Sequence, residues 1–190
     1  MDFKTILERG LWMELPDAQL LEKTARETNP KVILEIGGAI GASSMILGHV
    51  VRDNDGHLYT IEQNPHPEWN NNMEEFGLDN YATLMPGFSP WIMDFYLFYR
   101  DNIDYLFIDG SHETRSILMD YYFWEVFVRK GGRIAFHDYT NKDAKEKVQK
   151  AINIILETDT HLTKVAEVSS RWGLIVFEKN KDKFDFKPIK

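Results

Sequence analysis

The stretch from Lys31 to Val51, KVILEIGGAIGASSMILGHVV, decides how the rest of the chain is read. Four of its first six residues, Val32, Ile33, Leu34 and Ile36, are apolar, as in a strand buried on both faces. Gly37, Gly38 and Gly41 then supply a turn, and SSMILGHVV has helical character. Strand, glycine turn and helix in that order make the unit that holds nucleotide-like cofactors in open α/β sheets. Yet Glu35 stands just before the turn, where a carboxylate would repel a phosphate.

Outward from this unit, strand and helix signals alternate. On the N-terminal side, DAQLLEKTARET (17–28) predicts a helix with Asp17 as its cap, ended by Asn29-Pro30. On the C-terminal side, GHLYTIE, YATLMPG, IDYLFIDG and RIAFHD predict further strands. Between them PEWNNNMEEFGL predicts a helix ending at Gly77, PWIMDFYLFY another, and TRSILMDYYFWEVFV a third, closed by RKGG. KDAKEKVQKAINIILE predicts a strongly amphipathic helix, and LTKVAEVS with WGLIVFEK a closing hairpin. Repeated βα units imply an α/β, doubly wound, mostly parallel seven-stranded sheet with helices on both faces and an antiparallel strand at its C-terminal edge. The expected organisation is one domain over 1–190: a helical lead (1–30), the core (31–178) and a lysine-rich tail (179–190).

The bulk numbers agree with one soluble domain. The chain has 190 residues, 43% hydrophobic and 27% charged. A net charge of −8 argues against a broad nucleic-acid or membrane surface, which needs clustered Lys and Arg. No cysteine is present, so disulfide and thiolate chemistry are excluded. MDFKTILERGLW carries charges inside its apolar pattern, unlike a signal peptide or a membrane span, and a cytoplasmic location is expected.

In such sheets ligands bind beyond the carboxyl ends of the strands. Those ends carry Glu35, Glu62, Asp109 and Asp138, each after apolar residues that must be buried. One such acid is readily explained by a salt bridge or a helix cap. Four together make an acidic crevice that suits a positively charged ligand. The dinucleotide pattern G-x-G-x-x-G is incomplete here, with Ile36 at its first glycine. S-adenosylmethionine reverses the electrostatic objection, since it carries an ammonium and a sulfonium and no phosphate. Gly37 and Gly38 would admit its methionine part, and Glu35 would attract its ammonium directly or through water. Ser43 and Ser44 would cap the helix or touch its carboxylate. Glu62, 21 residues after Gly41 at the end of the second strand, stands where an acid receives ribose hydroxyls. A second constellation joins Asp109 and His112 in FIDGSHE to His137 and Asp138 in AFHDY. Carboxylates with imidazoles at adjacent strand ends can hold a divalent cation. Oxygen ligands favour magnesium, calcium or manganese, and an imidazole ligand tilts toward manganese or iron; magnesium is the first expectation, with manganese second. His112 could instead serve as a general base.

At these residues the sequence resembles the class I S-adenosylmethionine-dependent methyltransferases, on a Rossmann-like fold. EIGGAIGAS is similar to the loop of the metal-dependent O-methyltransferases of the catechol and caffeoyl-CoA kind. IDYLFIDGSHETRSILMDYYFWEVFVRKGGRIAFHDY looks like a bacterial branch with sugar O-methyltransferases of macrolide pathways and cephalosporin hydroxylase-like proteins. The resemblance covers roughly Lys31 to Tyr139. It implies that Glu35, Gly37, Gly41 and Ser43 shape the cofactor loop and that Glu62 binds ribose. It places Ser89 of MPGFSP on the adenine side, with Phe88 where relatives often carry an acid. Asp109 and Asp138 match metal-ligand positions, His137 falls where relatives often have an acidic ligand, and His112 matches the proposed base. The implied reaction is methyl transfer to a hydroxyl of a small-molecule acceptor, with no nucleic-acid or membrane partner. A homodimer is compatible with the resemblance. Trp12, Trp91, Tyr139, Arg171 and Trp172 are candidates for an acceptor site.

Rival readings are weaker. A nicotinamide-dependent oxidoreductase is opposed by Ile36 and Glu35. An iron site of Asp109, His112 and His137 has suitable ligands, but the oxygenases that use it have β folds. A non-catalytic cofactor-binding protein would have no need of Asp109, His112 and Asp138 together.

Overall fold

The computed structural model describes residues 2–9, 12–89 and 103–181. Its strands are β1 (Val32–Ile36), β2 (His57–Glu62), β3 (Ala82–Pro86), β4 (Ile103–Ile108), β5 (Val128–His137), β6 (Leu162–Val168) and β7 (Leu174–Lys179). Its helices are α1 (Phe3–Arg9), α2 (Leu15–Arg26), α3 (Ala42–Arg52), α4 (Pro67–Glu75), α5 (Thr114–Trp124) and α6 (Lys145–Thr158). The strands form one sheet in the order β3-β2-β1-β4-β5-β7-β6. Strands β3 through β5 pair in parallel, while β7 runs antiparallel to both β5 and β6.

The sheet separates two apolar layers. Along β4, Tyr105 and Phe107 join the core under α1 to α4, whereas Leu106 and Ile108 join the core under α5 and α6. Both faces are covered, so the central strands are apolar without alternation. The strand order reverses between β1 and β4, and that crevice is where such a sheet places its ligand.

Four expectations need correction. The antiparallel strand lies one place in from the edge, which β6 occupies. The reason is polarity: Leu174 to Phe177 of β7 are all buried, while most of β6 is exposed. Helix α2 starts before Asp17. Glu14 is its N-cap and donates its backbone N–H to Asp17 Oδ2 at 3.3 Å, and Asp17 also accepts from the Ser170 hydroxyl at 2.6 and 2.7 Å. The RKGG segment lies within β5 rather than ahead of it. Between the pairs Ile103↔Val128 and Tyr105↔Arg133 the partner strand advances five residues for two, with Gly131 at φ 76°. Lys179 is not part of a solvated tail. It is buried at the end of β7, and its Nζ donates to the carbonyls of Glu125 and Val128 at 3.1 and 2.7 Å. The helix expected over 90–99, with Trp91, lies outside the described residues.

Candidate active site

The glycine turn is shaped first by the protein's own packing. Gly37 has φ 91°, and a Cβ there would lie 2.2 Å from the Asp109 carbonyl oxygen. The ends of β1 and β4 are pinned in this close approach by the Asp109 N–H, which donates to the Ile36 carbonyl at 2.8 Å. A Cβ on Gly38 would meet the Thr60 methyl at 2.4 Å. The expectation that these glycines serve a ligand is therefore incomplete, since the sheet requires them as well. Gly41, at φ 98°, is the N-cap of α3. Glu62 closes over the turn. Its Oε2 accepts from the N–H groups of Gly38 and Ala39 at 2.9 and 3.0 Å, and Oε1 from Asn64 N–H at 2.8 Å.

Glu35 does not face the crevice as expected. It is fully buried and accepts from the hydroxyls of Ser43, Ser44 and Thr60, the last at 2.7 Å. Its carboxylate ties β1 to α3 and β2. Burial pushes its pKa up to about 7, against the three hydroxyl donors. Neither serine caps α3. Ser44 is enclosed, its Oγ accepting from the Trp69 indole at 2.8 Å, while Ser43 keeps a place in the cavity wall.

Parallel pairing of β4 with β5 sets Ile108 beside Phe136 and so brings Asp109, His137 and Asp138 together. One ligand atom from each lies within 4.8 Å of the others. His137 Nδ1 is 3.1 Å from Asp109 Oδ1 and 3.7 Å from Asp138 Oδ2. His112 Nε2 is 2.7 Å from Asp138 Oδ2, and Asn141 Nδ2 donates to Asp138 Oδ1 at 2.6 Å. Asp138 has φ 60°, a conformation that costs a non-glycine residue about 1 to 2 kcal/mol and that clusters at functional sites. Burial disfavours the charged His137 ring, but Asp109 and Asp138 raise its pKa to about 9. The His112 pKa rises through its hydrogen bond to Asp138. Burial raises that of Asp109 despite His137. Burial also works against ionised Asp138, yet His112, His137 and Asn141 hold it below the usual range. The cluster favours positive charge. His137 Nε2 is buried without a hydrogen-bond partner among the described residues. Two carboxylates and an imidazole at this spacing fit a divalent cation.

These groups share one cavity of about 640 Å³ at the β1/β4 crevice. Its wall includes Gly37, Gly38, Ser43, Glu62, Ser89, Asp109, His112, His137 and Asp138, but neither Glu35 nor Ser44. Of the aromatic candidates, Trp12 and Trp172 line it. Tyr139 packs against the core beneath α5 and α6, and Arg171 lies over the Trp172 ring at 4.6 Å. Asp120 and Met119 of α5 were not singled out in the sequence, yet both line the cavity. The signal for Asp120 was an acid in an apolar helix, four residues after Ser116 on the same face.

A family model described as a methyltransferase domain matches residues 34–139, more than half of the chain. An uncharacterized protein of Acanthamoeba polyphaga mimivirus is 38% identical over 56 residues, or 30% of this chain and 25% of that protein. The match thus spans about a quarter of the curated relative's length. Among solved structures, the O-methyltransferase from Bacillus cereus in complex with SAH superposes with a TM-score of 0.73 at 14% identity, covering 93% of this chain and 90% of that one. The O-methyltransferase TomG from Streptomyces achromogenes, involved in tomaymycin synthesis and in complex with SAM, gives 0.71 at 20% identity, covering 89% and 82%. At such identities the likeness is one of fold. No helix among the described residues is long and apolar enough to cross a membrane. The span matched by the family model begins at Leu34, ends at Tyr139 and contains the glycine turn, Glu62 and the Asp–His cluster: the chain belongs to the methyltransferase-domain family.

Proposed function

We propose that this protein transfers a methyl group from S-adenosylmethionine to a hydroxyl oxygen of a small-molecule acceptor, assisted by a divalent cation. The observation that carries this reading is Glu62. Its carboxylate lies on the N–H groups of Gly38 and Ala39, which a dinucleotide would need for its pyrophosphate, and so favours a ligand without phosphate. The same contact weighs against the nicotinamide alternative.

Gly37, Gly38, Ser43 and Glu62 would hold the methionine and ribose parts, and Ser89 the adenine side. Asp109, His137 and Asp138 would hold the cation, with magnesium preferred and manganese accepted. The cofactor supplies an activated methyl group, and the cation supplies charge that acidifies the acceptor hydroxyl. His112 takes the hydroxyl proton on Nε2, the atom that contacts Asp138 Oδ2 at 2.7 Å, so that contact must open. Trp12 and Trp172 wall the cavity and limit water access to the acceptor.

Calorimetric titration of S-adenosylmethionine into the protein, with NADH as comparison, tests the reading. Micromolar binding of the first and none of the second is expected. The reverse result overturns it.

A further inference from the structure

Four carboxylates reach the cavity wall among the described residues: Glu62, Asp109, Asp138 and Asp120. The reaction above uses the first three. Asp120 sits in the second turn of α5, 5% exposed, on the face it shares with Ser116. Burial raises its pKa to about 6, and no cation among the described residues counters that. A carboxylate kept in such a place is costly unless something donates to it.

One donor is already fixed. The Trp124 indole donates to Ser89 Oγ at 2.8 Å, and the Ser89 hydroxyl in turn donates to Asp120. A carboxylate has about four acceptor positions, so the relay leaves capacity toward the cavity. The neighbourhood suits a flat ring. Phe88 and Met119, 56% and 39% exposed, are large apolar side chains in the same wall. The Gly87 N–H donates to the Glu62 carbonyl at 2.9 Å, so this end of the cavity adjoins the end of β2.

Given the methyl donor proposed above, on which this step rests, we propose that Asp120 reads the edge of the adenine base. Its carboxylate accepts a hydrogen bond from the exocyclic amine, while Ser89 holds the carboxylate in place. Asp120 thereby selects adenine over 6-oxopurines, whose carbonyl oxygen would face it.

The test compares binding of S-adenosylhomocysteine and S-inosylhomocysteine by calorimetry in the wild type, Asp120→Ala and Asp120→Asn. Wild type should prefer the adenine form at least tenfold. Asp120→Ala should weaken adenine-form binding about tenfold or more, the scale of a hydrogen bond to a charged group. Asp120→Asn has the same shape and can donate to a 6-oxo group, so it should narrow or reverse the preference. It decides alone if the alanine variant does not fold. Equal binding of the two ligands by wild type, or an unchanged preference in Asp120→Asn, overturns the assignment while leaving the methyl donor standing. Binding of neither ligand by wild type removes the methyl-donor reading and this assignment with it.

Discussion

The Glu35 carboxylate has no open side toward the cavity, because Ser43, Ser44 and Thr60 all donate to it inside the fold. Its folded pKa of about 7 lies above the ordinary glutamate value of 4.5, so the folded state holds the proton more tightly. Stability then falls as pH rises from about 4.5 through 7, by about 3 kcal/mol for this group. Burial of Asp120 acts with the same sign. Thermal melts of Glu35→Gln between pH 5 and 8 should show a flatter pH dependence than wild type. An identical slope would assign the effect to other groups. The catalytic assignments belong to this scale too. His112→Ala should lower turnover roughly 10²-fold or more, the usual scale for a lost general base. Asp109→Asn should abolish metal-stimulated turnover while holding cofactor affinity within a few-fold. Wild-type turnover in the first, or full metal stimulation in the second, would remove those roles.

Among the elements, the central strands were legible because they are short apolar runs, and burial on both faces demands that composition, whereas β6 at the edge is mostly exposed. Their ends were less so. Asp17 looked like a helix cap, but its carboxylate is shared with Ser170, 153 residues away. The break before Arg133 looked like a turn, but the strand absorbs it as an irregularity beside β4. Two glycines separate local from tertiary demand. Gly77 has φ 64° with nothing near a Cβ, whereas Gly37 has φ 91° and a Cβ position 2.2 Å from the Asp109 carbonyl. Gly77→Ala should cost about 1 to 2 kcal/mol, the left-handed penalty alone. Gly37→Ala should cost about 3 to 5 kcal/mol, because the ends of β1 and β4 must also separate. Denaturant titrations of both variants decide this, and equal losses would mean that the turn relaxes freely.

For the molecule as a whole, ligand binding should appear as added stability. S-adenosylhomocysteine at about 100 times its Kd should add about 2.7 kcal/mol and raise Tm by roughly 5 to 10 °C. Magnesium or manganese should add a further rise in wild type that Asp138→Asn lacks. No shift with any of these ligands would count against the proposed cofactor and cation together. The sequence by itself determined the alternation of strands and helices, the parallel sheet and the Asp–His pairs at the ends of β4 and β5, because apolar runs, glycine turns and residue order are local properties. Only the tertiary structure decided that Glu35 is sealed under α3, that β7 sits inside β6, and that Asp120 reaches the cavity beside Ser89. Those outcomes depend on which side chains meet across elements far apart in the chain, and hydrophobic periodicity carries no record of such meetings.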